Sequence, residues 1–186
     1  EVPAGQDATN PLTVTMDQER NLVANFVSNT GQTNIWTGAG VWESVTNWSL
    51  GAMPSTLDSA IVATGTVLLR SPVTVTELTI DNGAILVCSN WTTSLTASNV
   101  TLLGGGILTL PLAWTNGQNS NRVYVVCTNL TVAAGGSINV NGKGYDGGLA
   151  NPQSGSGPGG GTAGYAGGGG SYGGRGGSVY GVSGPT

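Results

Sequence analysis

Between residues 73 and 140 the hydrophobic and polar positions fall into one pattern, written three times. The copies read VTVTELTIDNGAILVC, LTASNVTLLGGGILTL and VVCTNLTVAAGGSINV, and begin at residues 73, 95 and 125, intervals of 22 and 30 residues. Val73, Leu95 and Val125 start the columns. Leu78, Val100 and Leu130 follow, then Ile80, Leu102 and Val132. Gly83, Gly105 and Gly135 mark a shared turn. Leu86, Leu108 and Ile138, then Cys88, Leu110 and Val140, close the unit. Apolar residues two apart with Thr between them predict strands with one inward face. Short strands repeating at this interval leave no room for helices and predict a solenoid. The expected fold is all-β, a right-handed parallel β-helix. A β-sandwich is the alternative, because short strands with turn signals suit it as well.

The flanks read differently. Residues 1–34 hold an expected N-terminal hairpin and a linker. Leu12, Val14 and Met16 alternate with Thr, Asp17-Gln18-Glu19-Arg20 turns the chain, and Leu22-Val23 and Phe26-Val27 return it. A lone hairpin is marginal in water, so it needs the following domain or another chain. Residues 35–57 place Trp36, Trp42 and Trp48 six apart, directly before the first rung. An open solenoid end would expose its apolar interior and strand edge, so these aromatics are expected to cap it. The rungs are expected over residues 58–140, with a degenerate first unit at 60–69 and a projecting loop at 111–122. Residues 141–186 carry 20 Gly in 46, with Tyr145, Tyr165, Tyr172 and Tyr180 among them. Such a segment is either a flexible tail or a set of extended backbones that approach closely because no side chains intervene.

Several of these stretches resemble known families. LTVTMDQERNLVANFV resembles the last strands of the divergent internalin-B-type repeat of bacterial surface proteins, which ends in an LTVTMD…VTANF pattern. IWTGAGVWESVTNWSLGAMPSTLDSAIV resembles the opening of passenger-like β-helical segments in bacterial autotransporters and related exported proteins. The glycine stretch resembles Gly-rich lobes of large exported bacterial β-helical proteins. These resemblances imply an extracellular or cell-surface setting. The chain opens EVPAGQDATN, without a basic region and apolar core, and is expected to be mature, processed or cut from something longer.

Composition narrows the chemistry. Charged residues are 8% of the chain and the net charge is −4. The five basic residues, Arg20, Arg70, Arg122, Lys143 and Arg175, are scattered, which argues against nucleic acid. No apolar run is long enough to span a bilayer. His is absent, which removes the usual general base and imidazole metal sites. Glu77 and Asp81 are the one close acidic pair in the rungs, but Asn99/Leu103 and Asn129/Ala133 follow them in the next two copies, so acids do not stack. Asp58 and Asp81 are the candidate calcium ligands, without an Asp-x-Asp array to support them. No catalytic, cofactor or metal site is therefore assigned. Cys88 and Cys127 fall in different columns and are expected to be free thiols rather than a disulfide. Four Asn-x-Ser/Thr sequons, at Asn47, Asn90, Asn99 and Asn129, are treated as background in so Asn/Thr-rich a chain.

The expected function is a non-enzymatic extracellular structural or adhesive segment. Its expected partners are copies of itself or other surface or matrix proteins, joined head to tail into a filament. The alternative is a carbohydrate-binding module, or the remnant of a polysaccharide-active β-helix, stacking sugars on Trp91, Trp114 or Tyr124.

Overall fold

The computed structural model describes residues 30–112, 121–148, 153–163, 167–171 and 176–177. The expected hairpin at 11–27, Trp114 with loop residues 113–120, and Tyr165, Tyr172 and Tyr180 lie outside the described residues.

Alternating apolar residues fold here as short strands: β1 (Thr33–Trp36), β2 (Ala39–Val41), β3 (Ser59–Val62), β4 (Thr66–Leu69), β5 (Val73–Thr74), β6 (Glu77–Ile80), β7 (Ile85–Cys88), β8 (Leu95–Leu102), β9 (Ile107–Thr109), β10 (Val125–Val132) and β11 (Ser137–Asn139). One 3-10 turn covers Val45–Asn47, and the described residues hold no α-helix. The protein is all-β, and its described strands form two sheets. One has the order β1-β3-β6-β8-β10, with β5 also beside β8; the other has the order β11-β9-β7-β4-β2. Along the chain the backbone steps from one sheet to the other and back, adding one layer at each return. Every strand pair is parallel. The antiparallel ladders of a hairpin-built sandwich are not seen among the described strands.

The register reproduces the sequence columns. Leu78 pairs with Val100 and Val100 with Leu130; Ile80 pairs with Leu102 and Leu102 with Val132. In the second sheet Val67, Leu86, Leu108 and Ile138 follow one another. The inward members from Val62 through Leu108 are buried and form one continuous core. A one-residue slip would turn the whole set to solvent, so the apolar pattern itself fixes the register.

Between the sheets the chain turns on glycine. Gly65, Gly83, Gly105 and Gly135 have φ of 78°, 76°, 89° and 85°. This left-handed region penalises any side chain with a Cβ. In three of these turns a backbone bond closes the loop, from Ala84 N to Asp81 O, Gly106 N to Leu103 O and Gly136 N to Ala133 O. The turns also stack, Gly83 N donating to Gly105 O and Gly105 N to Gly135 O.

The strands begin earlier than Asp58. β1 and β2 already pair in register with β3 and β4, within the stretch read as linker and cap. The reason is chemical: the inward positions of β1 are Asn34, opposite Ala60, and Trp36, opposite Val62. Neither residue fits an aliphatic alternation, so the pattern breaks while the backbone pairing does not.

In the glycine-rich segment the apolar columns end and backbone takes over. Gly155 N donates to Gly161 O, Gly161 N to Gly169 O and Gly169 N to Gly177 O. A Cβ built on Gly161 would overlap the Gly177 carbonyl, and one on Gly168 the Gly161 carbonyl. Glycine is required here by close approach, and the described parts form a hydrogen-bonded cluster of bare backbones.

Candidate functional site

The two ends of the stack differ. At the β1 end three indoles close the core: Trp36, Trp42 and Trp48 are 0%, 2% and 2% exposed. Trp48 stands edge-on to both others, with ring centroids 5.2 Å from Trp36 and 4.7 Å from Trp42. Their polar handles are satisfied, Trp48 Nε1 donating to Trp42 O and Trp36 Nε1 to Gly38 O. The outer edge of β1 is also taken. Thr37 N donates to Asn47 O, Ser49 N to Ile35 O, and Ile35 N to Ser49 Oγ. Buried Asn34 pins this strap, donating to Ala52 O and accepting from Leu50 N and Ser49 Oγ. Asp58 fixes its far side by accepting from Gln32 N and Ser55 N, which holds its carboxyl below the ordinary value of 3.8.

At the other end nothing comparable is seen among the described residues. The columns that are buried at Val100, Leu102 and Leu108 surface at Leu130, Val132 and Ile138, which are 46%, 46% and 40% exposed; Val140 is 46% exposed. Among the described residues, β10 and β11 are the last strands of their sheets and are paired on one side. A terminal strand of this kind presents a row of backbone donors and acceptors to any strand that can add. The glycine-rich segment follows directly, yet these four side chains stay exposed.

A second feature lies where β7 ends. Asn90 is the one described non-glycine residue with positive φ, at 93°, a conformation that asparagine tolerates. It donates to Arg70 O and its own N–H is received by buried Asn121. Beside this corner Arg122 stacks on two rings, its guanidinium carbon 5.1 Å from the Trp91 centroid and 4.5 Å from that of Tyr124. Its Nε is buried with no hydrogen-bond partner among the described residues. Trp91 and Tyr124 are 41% and 46% exposed. The sequence singled out both rings, but Arg122 between them was missed. The signal available was its position at the return of the 111–122 loop. The guanidinium lies over one face of each ring.

The other expected candidates are held in structural roles. Glu77 accepts from Asn99, and Asn99 accepts from Asn129, forming an outward ladder across three layers. Asp81 accepts from Asn82 N at its own turn. No group of three or more Cys, Asp and Glu that could hold a metal occurs among the described residues. All four sequon asparagines use Nδ2 inside the fold: Asn47 to Ala39 O, Asn90 to Arg70 O, Asn99 to Glu77 and Asn129 to Asn99. Cys88 and Cys127 are free. Burial pushes the Cys88 thiol up to about 12. Cys127 pairs opposite Ala97, in the other sheet from Cys88.

Comparison with family models, with curated proteins and with solved structures returns no match for this chain.

Proposed function

We propose that the chain is a right-handed parallel β-helix segment of an exported, non-enzymatic structural or adhesive protein, and that its β10/β11 end recruits another copy head to tail. The observation that carries this reading is the contrast between the strapped, Trp-filled β1 end and the exposed Leu130, Val132, Ile138 and Val140. The right hand follows from strand twist, which makes crossovers between parallel strands of one sheet right-handed in nearly all cases. Outward columns of Thr79, Thr101 and Thr131 and of Asn99 and Asn129 in the first sheet, and of Ile85, Ile107, Leu68 and Val87 in the second, in a chain with 8% charged residues, suit a packed fibre or matrix better than a catalytic face. The surface setting rests on the sequence resemblances.

Magnitudes decide what must hold two copies together. Re-covering four half-exposed aliphatic side chains returns about 1 kcal/mol each. Association itself costs about 4–15 kcal/mol. Apolar contact alone is therefore insufficient, and strand addition along the β10 and β11 edges has to contribute. Light scattering across a dilution series is expected to show mass rising with concentration, with linear assemblies by electron microscopy. Compact monomers at every concentration contradict the reading.

A second reading, saccharide binding, draws on the exposed rings of Trp91 and Tyr124. It predicts binding to neutral or acidic polysaccharides that Tyr124→Ala abolishes while the fold persists. The guanidinium of Arg122 would then contact an acidic group on the sugar.

A further inference from the structure

We infer that the open end is completed by residues 14–24 of a second copy of this chain, inserted as one more layer on β10 and β11. The inference rests on the head-to-tail reading above and names the segment that performs it. The first observation is an alignment. VTMDQERNLVA, residues 14–24, matches LTIDNGAILVC, residues 78–88, without a gap. Thr15, Asp17, Leu22 and Val23 are identical to Thr79, Asp81, Leu86 and Val87. Val14 and Met16 fall in the columns of Leu78 and Ile80, Leu22 in that of Leu86, and Ala24 in that of Cys88. Those are the columns whose last described members, Leu130, Val132, Ile138 and Val140, are exposed. Val14 would follow Leu130, Met16 follow Val132, Leu22 follow Ile138 and Ala24 follow Val140. The segment carries the sequence pattern of one unit of the stack.

The second observation is that its natural place in its own chain is occupied. By sequence order it should stack outside β1. There the strap at residues 47–50 already bonds the edge, through Thr37 N to Asn47 O, Ser49 N to Ile35 O and Leu50 N to Asn34 Oδ1. Trp48 fills the space below. Reaching the far end of its own stack is also unfavourable. The layers from β1 to one beyond β10 span about 24 Å at roughly 4.8 Å each. Residues 25–32 would have to run almost fully extended along the outside of the molecule to cover that and change sheets. A second copy stacked end to end brings the segment there without such a span.

The alignment has one departure. Glu19 stands where Gly83, Gly105 and Gly135 take left-handed φ. A Cβ disfavours that turn, so this unit is less able to form in isolation and depends on the β10/β11 edge as a template.

The test uses chains spanning residues 1–186. Val14→Asp with Met16→Asp gives a copy that cannot insert but keeps its open end. Leu130→Asp with Val132→Asp gives a copy that cannot accept but keeps its segment. Circular dichroism and the buried-indole fluorescence of the Trp cap confirm that each is folded. Each alone is expected to be monomeric by sedimentation. Mixed, they are expected to form one-to-one dimers and nothing larger, because a single productive contact remains. Glu19→Gly in the otherwise native chain is expected to tighten assembly about tenfold, by relieving the turn. If Val14→Asp/Met16→Asp assembles as the native chain does, this inference is overturned while head-to-tail assembly stands. If the native chain remains monomeric and residues 14–24 are protected from exchange, the segment closes its own stack and the second copy is wrong. If the native chain remains monomeric with those residues unprotected, the head-to-tail reading falls with it.

Discussion

Single residues in this fold act mainly through backbone geometry. Gly105 sits at φ 89° with its N–H bonded to the next turn. Replacing it with Ala forces a Cβ into the left-handed region, and Gly105→Ala is expected to cost about 1–2 kcal/mol in a denaturant titration. The glycine was legible in sequence because it recurs at one place in every unit. Asn34 was not, because a buried amide breaks the aliphatic pattern and its bonds to residues 49–52 are not encoded by spacing. Arg122 was missed for a similar reason: its partners Trp91 and Tyr124 lie on different turns of the chain. Cys88 is buried and its thiol is pushed up to about 12, so the thiolate is scarce at neutral pH. In the native protein it is expected to resist an aromatic disulfide reagent at pH 8 and to react once the chain is unfolded. Asp58 has the opposite sign. Its folded value is depressed by backbone N–H donors, so its contribution is present above the ordinary 3.8 and is lost as pH falls through the lower folded value. Asp58→Asn is expected to weaken the acid dependence of stability in that window, read from melting temperatures between pH 2 and 5.

Strands and turns carry the stability. Each inward column crosses successive layers in register, so a cavity made in one layer is lined by the layers on either side. Leu102→Ala is expected to cost about 2–5 kcal/mol. Trp48→Ala removes the ring against which both other indoles stand and is expected to cost about 3–5 kcal/mol, with loss of the cap's fluorescence signature. The columns from 73 to 140 could be read because a period of two fixes which residues of each strand share a face, and the recurring glycine fixes the phase from one unit to the next. The pairing of β1 and β2 with the sheets could not, because a long excursion, residues 42–58, separates them from β3. The glycine-rich segment lies further from sequence reach. Its bonds join backbones, and a run of Gly encodes close approach without saying which strands approach.

At the scale of the molecule the asymmetry of the ends matters most. The sequence led to an expectation that Trp36, Trp42 and Trp48 cover the first rung. The structure buries these indoles beside a bonded strap at the β1 end, and leaves the β10/β11 end with half-exposed aliphatics beside strands that, among the described residues, are paired on one side. In the proposed assembly that polarity sets a direction, the β10/β11 end accepting a strand and residues 14–24 of another copy supplying it. A heterologous contact of this kind propagates rather than closes. The most direct measurement is amide hydrogen exchange along β10 (Val125–Val132) as a function of protein concentration. The amides that point away from β8 are expected to exchange quickly in dilute solution and to become protected as assemblies form, in step with the mass from light scattering. Exchange of those amides that stays fast while mass increases would show that copies join elsewhere, and the account of the open end would be wrong.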